Sequence, residues 1–268
     1  VSTTSYHFTL RYLQSSGFRL LTVSISTGEV LYDAPSNHNI MGLKYGCNDL
    51  LYALWLDNDV YHLVSVDAQT GNQTDLGVIA DLSGIYAGTF SFDIDKDWYM
   101  VRGIDVNGNN RLYSIDVVTG TVVNSPISND NVRGNEYDCT THLTYGLNNN
   151  PTNDLETFVS LDPVTGNSTL IDTLWPVAAV FSESYSLNHN TGEYTFAGLM
   201  QSQTHLFTVD VSSGVILYNI NIGDVITETD QFNCCGKGTE VNEVLNYLIK
   251  IHPNPATDFL TVEWSGDS

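Results

Sequence analysis

Carboxylates at alternate positions are the first residues whose spacing could do chemistry. Asp93, Asp95 and Asp97 stand two apart in Asp93-Ile94-Asp95-Lys96-Asp97, a spacing with which oxygen-rich loops surround Ca2+. Asp105-Val106-Asn107-Gly108-Asn109-Asn110 begins in a similar way, yet the closing bidentate glutamate is absent. Asp93 to Asp97 also falls where another stretch of the chain has Asn188-His189-Asn190-Thr191-Gly192-Glu193, the pattern of an ordinary hairpin turn. Calcium at Asp93, Asp95 and Asp97 is thus the one cofactor the sequence suggests, and a turn is the plainer expectation. A second set is His38, Tyr86, Asp138, Glu183 and Asp230, with Glu136 close by. Gathered around one mouth, these groups could hold a cation or a ligand. Their carboxylates could also act as the acid and base of glycoside hydrolysis, which needs the pair at a set separation. Scattered, they are solvated loop carboxylates in a chain that has 31 acidic residues.

Whether they gather depends on the elements that carry them, and those elements repeat. Ser114-Ile115-Asp116-Val117-Val118-Thr119-Gly120 recurs as Ser65-Val66-Asp67-Ala68-Gln69-Thr70-Gly71, as Ser160-Leu161-Asp162-Pro163-Val164-Thr165-Gly166 and as Thr208-Val209-Asp210-Val211-Ser212-Ser213-Gly214. Thr22-Val23-Ser24-Ile25-Ser26-Thr27-Gly28 is a worn first copy. Apolar pairs such as Leu63-Val64 and Leu112-Tyr113 precede each phrase, and a second apolar run such as Val215-Ile216-Leu217-Tyr218 follows it. Apolar and small polar residues alternating around a glycine-closed turn predict a β-hairpin. The aspartate bonds backbone N–H groups two residues on, and the glycine takes the positive φ that a Cβ would strain. Its recurrence in every unit marks this aspartate as a turn-former, not a catalytic acid.

Upstream of each phrase lies another strand pair, such as Thr89-Phe90-Ser91-Phe92 with Trp98-Tyr99-Met100-Val101. Two hairpins per period make four strands, and successive phrase glycines lie 43 to 49 residues apart, the period of a propeller blade. No stretch sustains a helical period. The expected fold is an all-β propeller of five four-stranded antiparallel blades over residues 1–240, with six blades as the alternative. Units two to five run roughly 34–78, 79–128, 129–175 and 176–222. Residues 1–33 hold too little for four strands, so Gln231-Phe232-Asn233-Cys234-Cys235 is expected to complete the first blade and remove its open edges.

The formal charge of −22 comes from 31 acidic and 9 basic residues. Such a field repels phosphate backbones, which argues against nucleic acid as a partner. No apolar run approaches the roughly 20 residues of a membrane helix. The chain opens at Val1 without a charged-then-apolar leader, the pattern expected once a signal peptide is removed. Cys47, Cys139, Cys234 and Cys235 show no zinc-ligand spacing. At least one disulfide is expected, with three full pairings open. The sequence has no GxSxG, HExxH, P-loop or post-strand GxGxxG motif. Trp55, Trp98 and Trp175 could stack on sugars or belong to the core. His62, His142 and His205 stand singly in strand-like runs.

The Thr-Gly hairpins resemble those of secreted bacterial propellers marked by L-Y-x-I-D-x-x-T-G strands, a likeness spanning about residues 5–222. Tyr247-Leu248-Ile249-Lys250-Ile251-His252-Pro253-Asn254-Pro255-Ala256-Thr257-Asp258-Phe259-Leu260-Thr261-Val262 resembles the opening of the C-terminal sorting domain of the type IX secretion system of Bacteroidota. His252 stands where that family usually has an aromatic, and the chain ends at Ser268, short of a full sorting domain. Residues 241–268 are thus expected to be a linker and the start of such a domain. That resemblance implies export by the type IX machinery, then release or display on the outer cell surface. Asp172-Thr173-Leu174 resembles the O-glycosylation site of exported proteins of that phylum, with Thr173 as acceptor. Three functions fit: a surface binding or adhesion module for a glycan or protein, a glycoside hydrolase using rim carboxylates, or a structural unit of a surface layer or appendage.

Overall fold

In a computed structural model of the chain, residues 6–13, 17–24, 29–46, 50–150, 155–222, 249–251 and 262–264 are described. Among them there is no helix, hence none long and apolar enough to cross a membrane. The first sheet holds β1 (Tyr6–Leu13), β2 (Gly17–Ser24) and β3 (Val30–Pro35). The second runs β4 (Ile40–Tyr45), β5 (Leu50–Asp57), β6 (Val60–Asp67), β7 (Gln73–Val78). In the third, β8 (Leu82–Ile85) and β9 (Ser91–Asp93) share one edge of β10 (Trp98–Asp105), followed by β11 (Asn110–Asp116) and β12 (Thr121–Asn124). The fourth runs β13 (Val132–Asp138), β14 (Leu143–Asn150), β15 (Leu155–Leu161), β16 (Ser168–Thr173). The fifth runs β17 (Ala179–Asn188), β18 (Glu193–Met200), β19 (Gln203–Asp210), β20 (Ile216–Asn221). A separate pair, β21 (Ile249–Ile251) and β22 (Val262–Trp264), is antiparallel.

The second, third and fourth sheets are buried on both faces. In β5, Leu51 and Ala53 pack with Leu20 and Ile40 on one side, while Tyr52 and Leu54 pack with Phe92 and Met100 on the other. In β15, Val159 and Leu161 meet Leu112, while Phe158 meets Tyr194 and Phe207. The period-2 alternation of a strand thus serves two neighbouring sheets, which explains why its residues are apolar almost throughout. The first strands of successive sheets touch in turn, β4 to β9, β9 to β13 and β13 to β17. Four sheets of four or more strands in this radial order are a propeller-like arrangement.

Register shows which part of a blade the first sheet represents. The last strand pair carries one irregularity in every sheet, at Leu63/Val64, Ser114/Ile115, Phe158/Val159 and Thr208/Val209, and the β2–β3 pair carries it at Thr22/Val23. The β1–β2 register is unbroken, as are β5–β6 and β18–β19. So β1, β2 and β3 match the second, third and fourth strands of the other sheets. Among the described residues, that sheet has no innermost strand.

The phrase aspartates form turns, as their recurrence predicts. Asp116 Oδ1 accepts the N–H groups of Val118 and Thr119 at 2.9 and 2.8 Å, and Asp67 and Asp210 repeat the pattern. Gly71, Gly120, Gly166 and Gly214 have φ of 70°, 67°, 73° and 74°. Each also lies against the outer part of the preceding sheet, so that a Cβ on Gly120 would overlap the Leu76 carbonyl and one on Gly166 would press on that of Ile127. The motif is therefore both a turn and a lock between blades.

Candidate functional site

Corresponding positions can be counted from the second strand of each sheet. The third residues of β5, β10, β14 and β18 are Tyr52, Met100, Tyr145 and Thr195; they pair with Lys44, Ser91, Glu136 and Ser186 on the innermost strands. These four share one level around the axis. Lys44 Nζ donates to Glu136 Oε1 at 2.7 Å, past the intervening β9, with side chains 13 and 14% exposed. This ion pair crosses the centre, and sequence reading assigned Lys44 no role. Arg133 and the buried Glu156 form a second pair within the fourth sheet. Burial raises Glu156 above the usual carboxylate range, and Arg133 opposes that shift.

The expected rim set divides. His38 and Tyr86 lie in the segments that enter β4 and β9, so they share a mouth. Asp138 is the last residue of β13, at the opposite end of the axis. There its carboxylate accepts Thr140 N–H and Thr141 Oγ1–H at 3.1 and 2.8 Å, as a turn-former. The same two-residue bulge follows Met41 and Arg133, so the fourth-sheet counterpart of His38 is Asp130. Spacing along the chain does not reveal this correspondence, because the shift appears only in the ladder. Glu183 falls in the stretch of β17 between the paired Val180 and Tyr185, and its side chain is outside the described residues. Asp230, Cys47, Cys234 and Cys235 lie outside them too.

At the mouth, His38 stacks on Trp55 with centroids 3.8 Å apart and planes at 26°. Trp55 also meets His62 at 5.2 Å, and His62 Nδ1 is 2.9 Å from Asp75 Oδ2. Tyr86 donates its hydroxyl to Asn110 Oδ1 at 2.6 Å. Over its ring, at 4.7 Å, lies the guanidinium of Arg102, which donates from Nη1 to Asn131 Oδ1 at 2.8 Å. Arg102 is 2% exposed. Burial lowers its pKa, against the upward pull of Tyr86 and Asp130. Asp130 accepts from Ser168 Oγ at 2.6 Å.

The far mouth carries the proposed calcium ligands. Asp93 is wholly buried; its Oδ1 accepts Asp95 N–H at 3.1 Å and its Oδ2 accepts Lys96 Nζ at 2.8 Å. Asp95 Oδ2 accepts the Tyr137 hydroxyl at 2.6 Å and lies 2.7 Å from His142 Nδ1. Asp97 holds the positive-φ turn position, φ 55°, and its carbonyl accepts Val117 N–H. The Asp93 carboxylate and the Asp97 backbone serve the hairpin turn, the Asp95 carboxylate bonds Tyr137 and His142 of the fourth sheet, and a calcium ion would have to displace Lys96. Asp138, Cys139 and His189 bring ligand-type atoms within 4.8 Å of one another. Cys139 is disulfide-bonded, so its sulfur is not a thiolate ligand in this state. Its partner lies outside the described residues. Of the remaining candidates, Trp98 lies 4.8 Å under Lys96 Nζ, Trp175 is 73% exposed, and His205 is buried with Nδ1 against Asn219. Thr173 is exposed at the end of β16.

Acid should loosen this molecule from its turns. Tyr137 lowers Asp95, Thr70 lowers Asp67, Ser212 and Ser213 lower Asp210, and Arg111 with Asn109 holds Asp105 far below the usual range. In the unfolded chain these groups take up protons near pH 4, before the folded chain does. Their stabilisation is therefore full above that pH and is lost as pH falls through the folded values. Glu156, raised instead, runs the other way. The melting temperature should hold between about pH 7 and 5 and drop steeply below about 4. A flat profile down to pH 3 would contradict the assignment.

The radial sheets, two-sided burial and axial strands define a propeller-like protein. No protein-family model and no curated protein matches the chain. Solved structures similar to it include a protein of unknown function from Bacteroides thetaiotaomicron VPI-5482, with 13% identity over 82% of this chain and 56% of that one and a TM-score of 0.52. A functionally unknown protein from Desulfotomaculum acetoxidans DSM 771 has 14% identity over 86% and 72%, with a TM-score of 0.51. TolB from Acinetobacter baumannii has 13% identity over 82% and 64%, with a TM-score of 0.48. The chain thus spans 64% of TolB's length. At such identities the likeness concerns the fold alone.

Proposed function

We propose that this chain is the ligand-binding propeller of an exported cell-surface protein, five-bladed, recognising a glycan or a surface protein at the mouth that bears His38 and Tyr86. One observation carries the reading. Glu136 is paired with Lys44 and Asp138 is held in a turn, while the opposite mouth presents His38 on Trp55 from the second sheet and, as a separate group, Tyr86, Arg102 and Asn131 around the third. Aromatic rings beside hydrogen-bonding groups suit recognition of sugars and of protein side chains. A glycan and protein binding screen on the full chain tests it. Trp55→Ala should weaken retention about tenfold or more while the fold is kept. Failure of the unmodified chain to retain any member of the screen would sink the reading.

Five blades follow if the C-terminal segment around Gln231–Cys235 supplies the innermost strand that the first sheet lacks among the described residues. Export through the type IX machinery rests on the resemblance of residues 247–262. Deleting residues 247–268 should leave the protein in the periplasm of a Bacteroidota host, and display despite the deletion would refute that route. Thr173, exposed on an outer strand, is the proposed glycan acceptor; Thr173→Ala should remove the glycan mass there.

A further inference from the structure

One position breaks the rule that the rest of the ring obeys. The fifth residue of the second strand is Leu54, Leu147 and Ala197 in three sheets, all 0% exposed and apolar. In the third sheet the same place holds Arg102, also buried at 2%. The registers leave no doubt of the correspondence: Leu54 faces Leu63, Arg102 faces Leu112, Leu147 faces Phe158 and Ala197 faces Leu206. A guanidinium there is destabilising unless something neutralises it. Among the described residues no carboxylate lies in ion-pair reach of it. Among the same residues its one side-chain hydrogen bond is Nη1 to Asn131, and Nε is enclosed with no partner. Asp130 acts on it only electrostatically, its own carboxylate being bonded to Ser168. Local rules are broken where function requires it.

We propose that Arg102, with Asn131 and the ring of Tyr86, is a receptor for a ligand carboxylate at the mouth of the propeller, an inference that rests on the binding reading above. The planar fork of arginine matches a carboxylate bidentately. A single cation in a chain of charge −22 suits a monoanion better than a phosphate dianion. The Tyr86 ring flanks the guanidinium and gives an apolar wall for the carbon skeleton. The carboxylate can belong to a uronic sugar or to a simple organic acid, and the test separates these sources.

Melting curves and calorimetric titrations of the full chain with glucuronate, glucose, acetate and inorganic phosphate, at up to about 50 mM, supply it. Expected for the unmodified protein is a saturable rise in melting temperature with glucuronate and none with glucose. A response to acetate as strong as that to glucuronate would assign the site to simple carboxylates; a weaker one assigns it to acidic sugars. Arg102→Met should melt about 2–6 °C higher without ligand, because an unneutralised buried charge is gone, and should lose the glucuronate response. Asn131→Ala, at an exposed position, should keep the fold and weaken binding about tenfold. The proposal is overturned if no carboxylate shifts the unmodified protein, if phosphate alone does, or if Arg102→Met melts lower or fails to fold. Should the glycan and protein screen succeed while Arg102→Met binds its hits unchanged, the binding reading stands and this one falls.

Discussion

Gly120→Ala lowers stability by about 2–4 kcal/mol, the largest loss expected from adding a single carbon. Two causes add. At φ 67° a Cβ strains the backbone. It would also run into the carbonyl of Leu76 and reach the backbone nitrogen of Gly77 on the preceding sheet. Backbone cannot swing aside as a side-chain end can, so either the turn or the contact between sheets must give. Gly108 is the control: its φ is 85°, and nothing lies within 4 Å of an added Cβ. Gly108→Ala should cost about 1 kcal/mol. Equal urea midpoints for the two variants would show that the glycine serves its own turn and not the lock.

Glu136→Gln is expected to cost about 2–4 kcal/mol. It leaves the ammonium of Lys44, only 13% exposed, without the carboxylate 2.7 Å away. Replacing both residues, as Lys44→Met with Glu136→Gln, should recover most of that loss, because no unpaired charge is then left enclosed. The double-mutant cycle therefore gives a coupling energy of at least about 1 kcal/mol. Additive losses would mean that the two groups do not meet across the axis. The pair bears on function as well. With it intact, the centre of the ring is crossed by an ion pair at the level of Ser91 and Ser186, which is why the proposed recognition is sought at the mouth beside His38.

Much of the fold is legible in the residues because it rests on short-range physics. An aspartate that bonds the N–H groups two and three residues on, followed by a glycine at positive φ, needs no distant partner. Asp67, Asp116, Asp162 and Asp210 therefore announce their hairpins, and their spacing announces the sheets. The reading of Asp93 to Asp97 as a turn is visible in the same way, by comparison with Asn188 to Gly192. The absence of helices among the described residues follows from the period-2 pattern.

The site was legible only in part. His38 precedes β4 and Tyr86 stands between β8 and β9, towards the same end of their sheets. Asp138 was expected beside them, yet it ends its strand at the other side. The counterpart of His38 is Asp130, and that correspondence depends on two unpaired residues after Met41 and after Arg133. A bulge changes register without leaving a fixed mark in composition, so spacing alone could not place it. The meeting of Lys44 with Glu136, 92 positions apart, likewise depends on how sheets fan around an axis. Arg102 reads in the chain as an ordinary strand arginine, and only superposed ladders reveal that its equivalents are buried leucines and an alanine. Local hydrogen bonding determined the repeating unit from sequence alone. Which side chains face one another at the centre was decided by the tertiary structure, because that depends on rigid sheets packing together and not on neighbours along the chain.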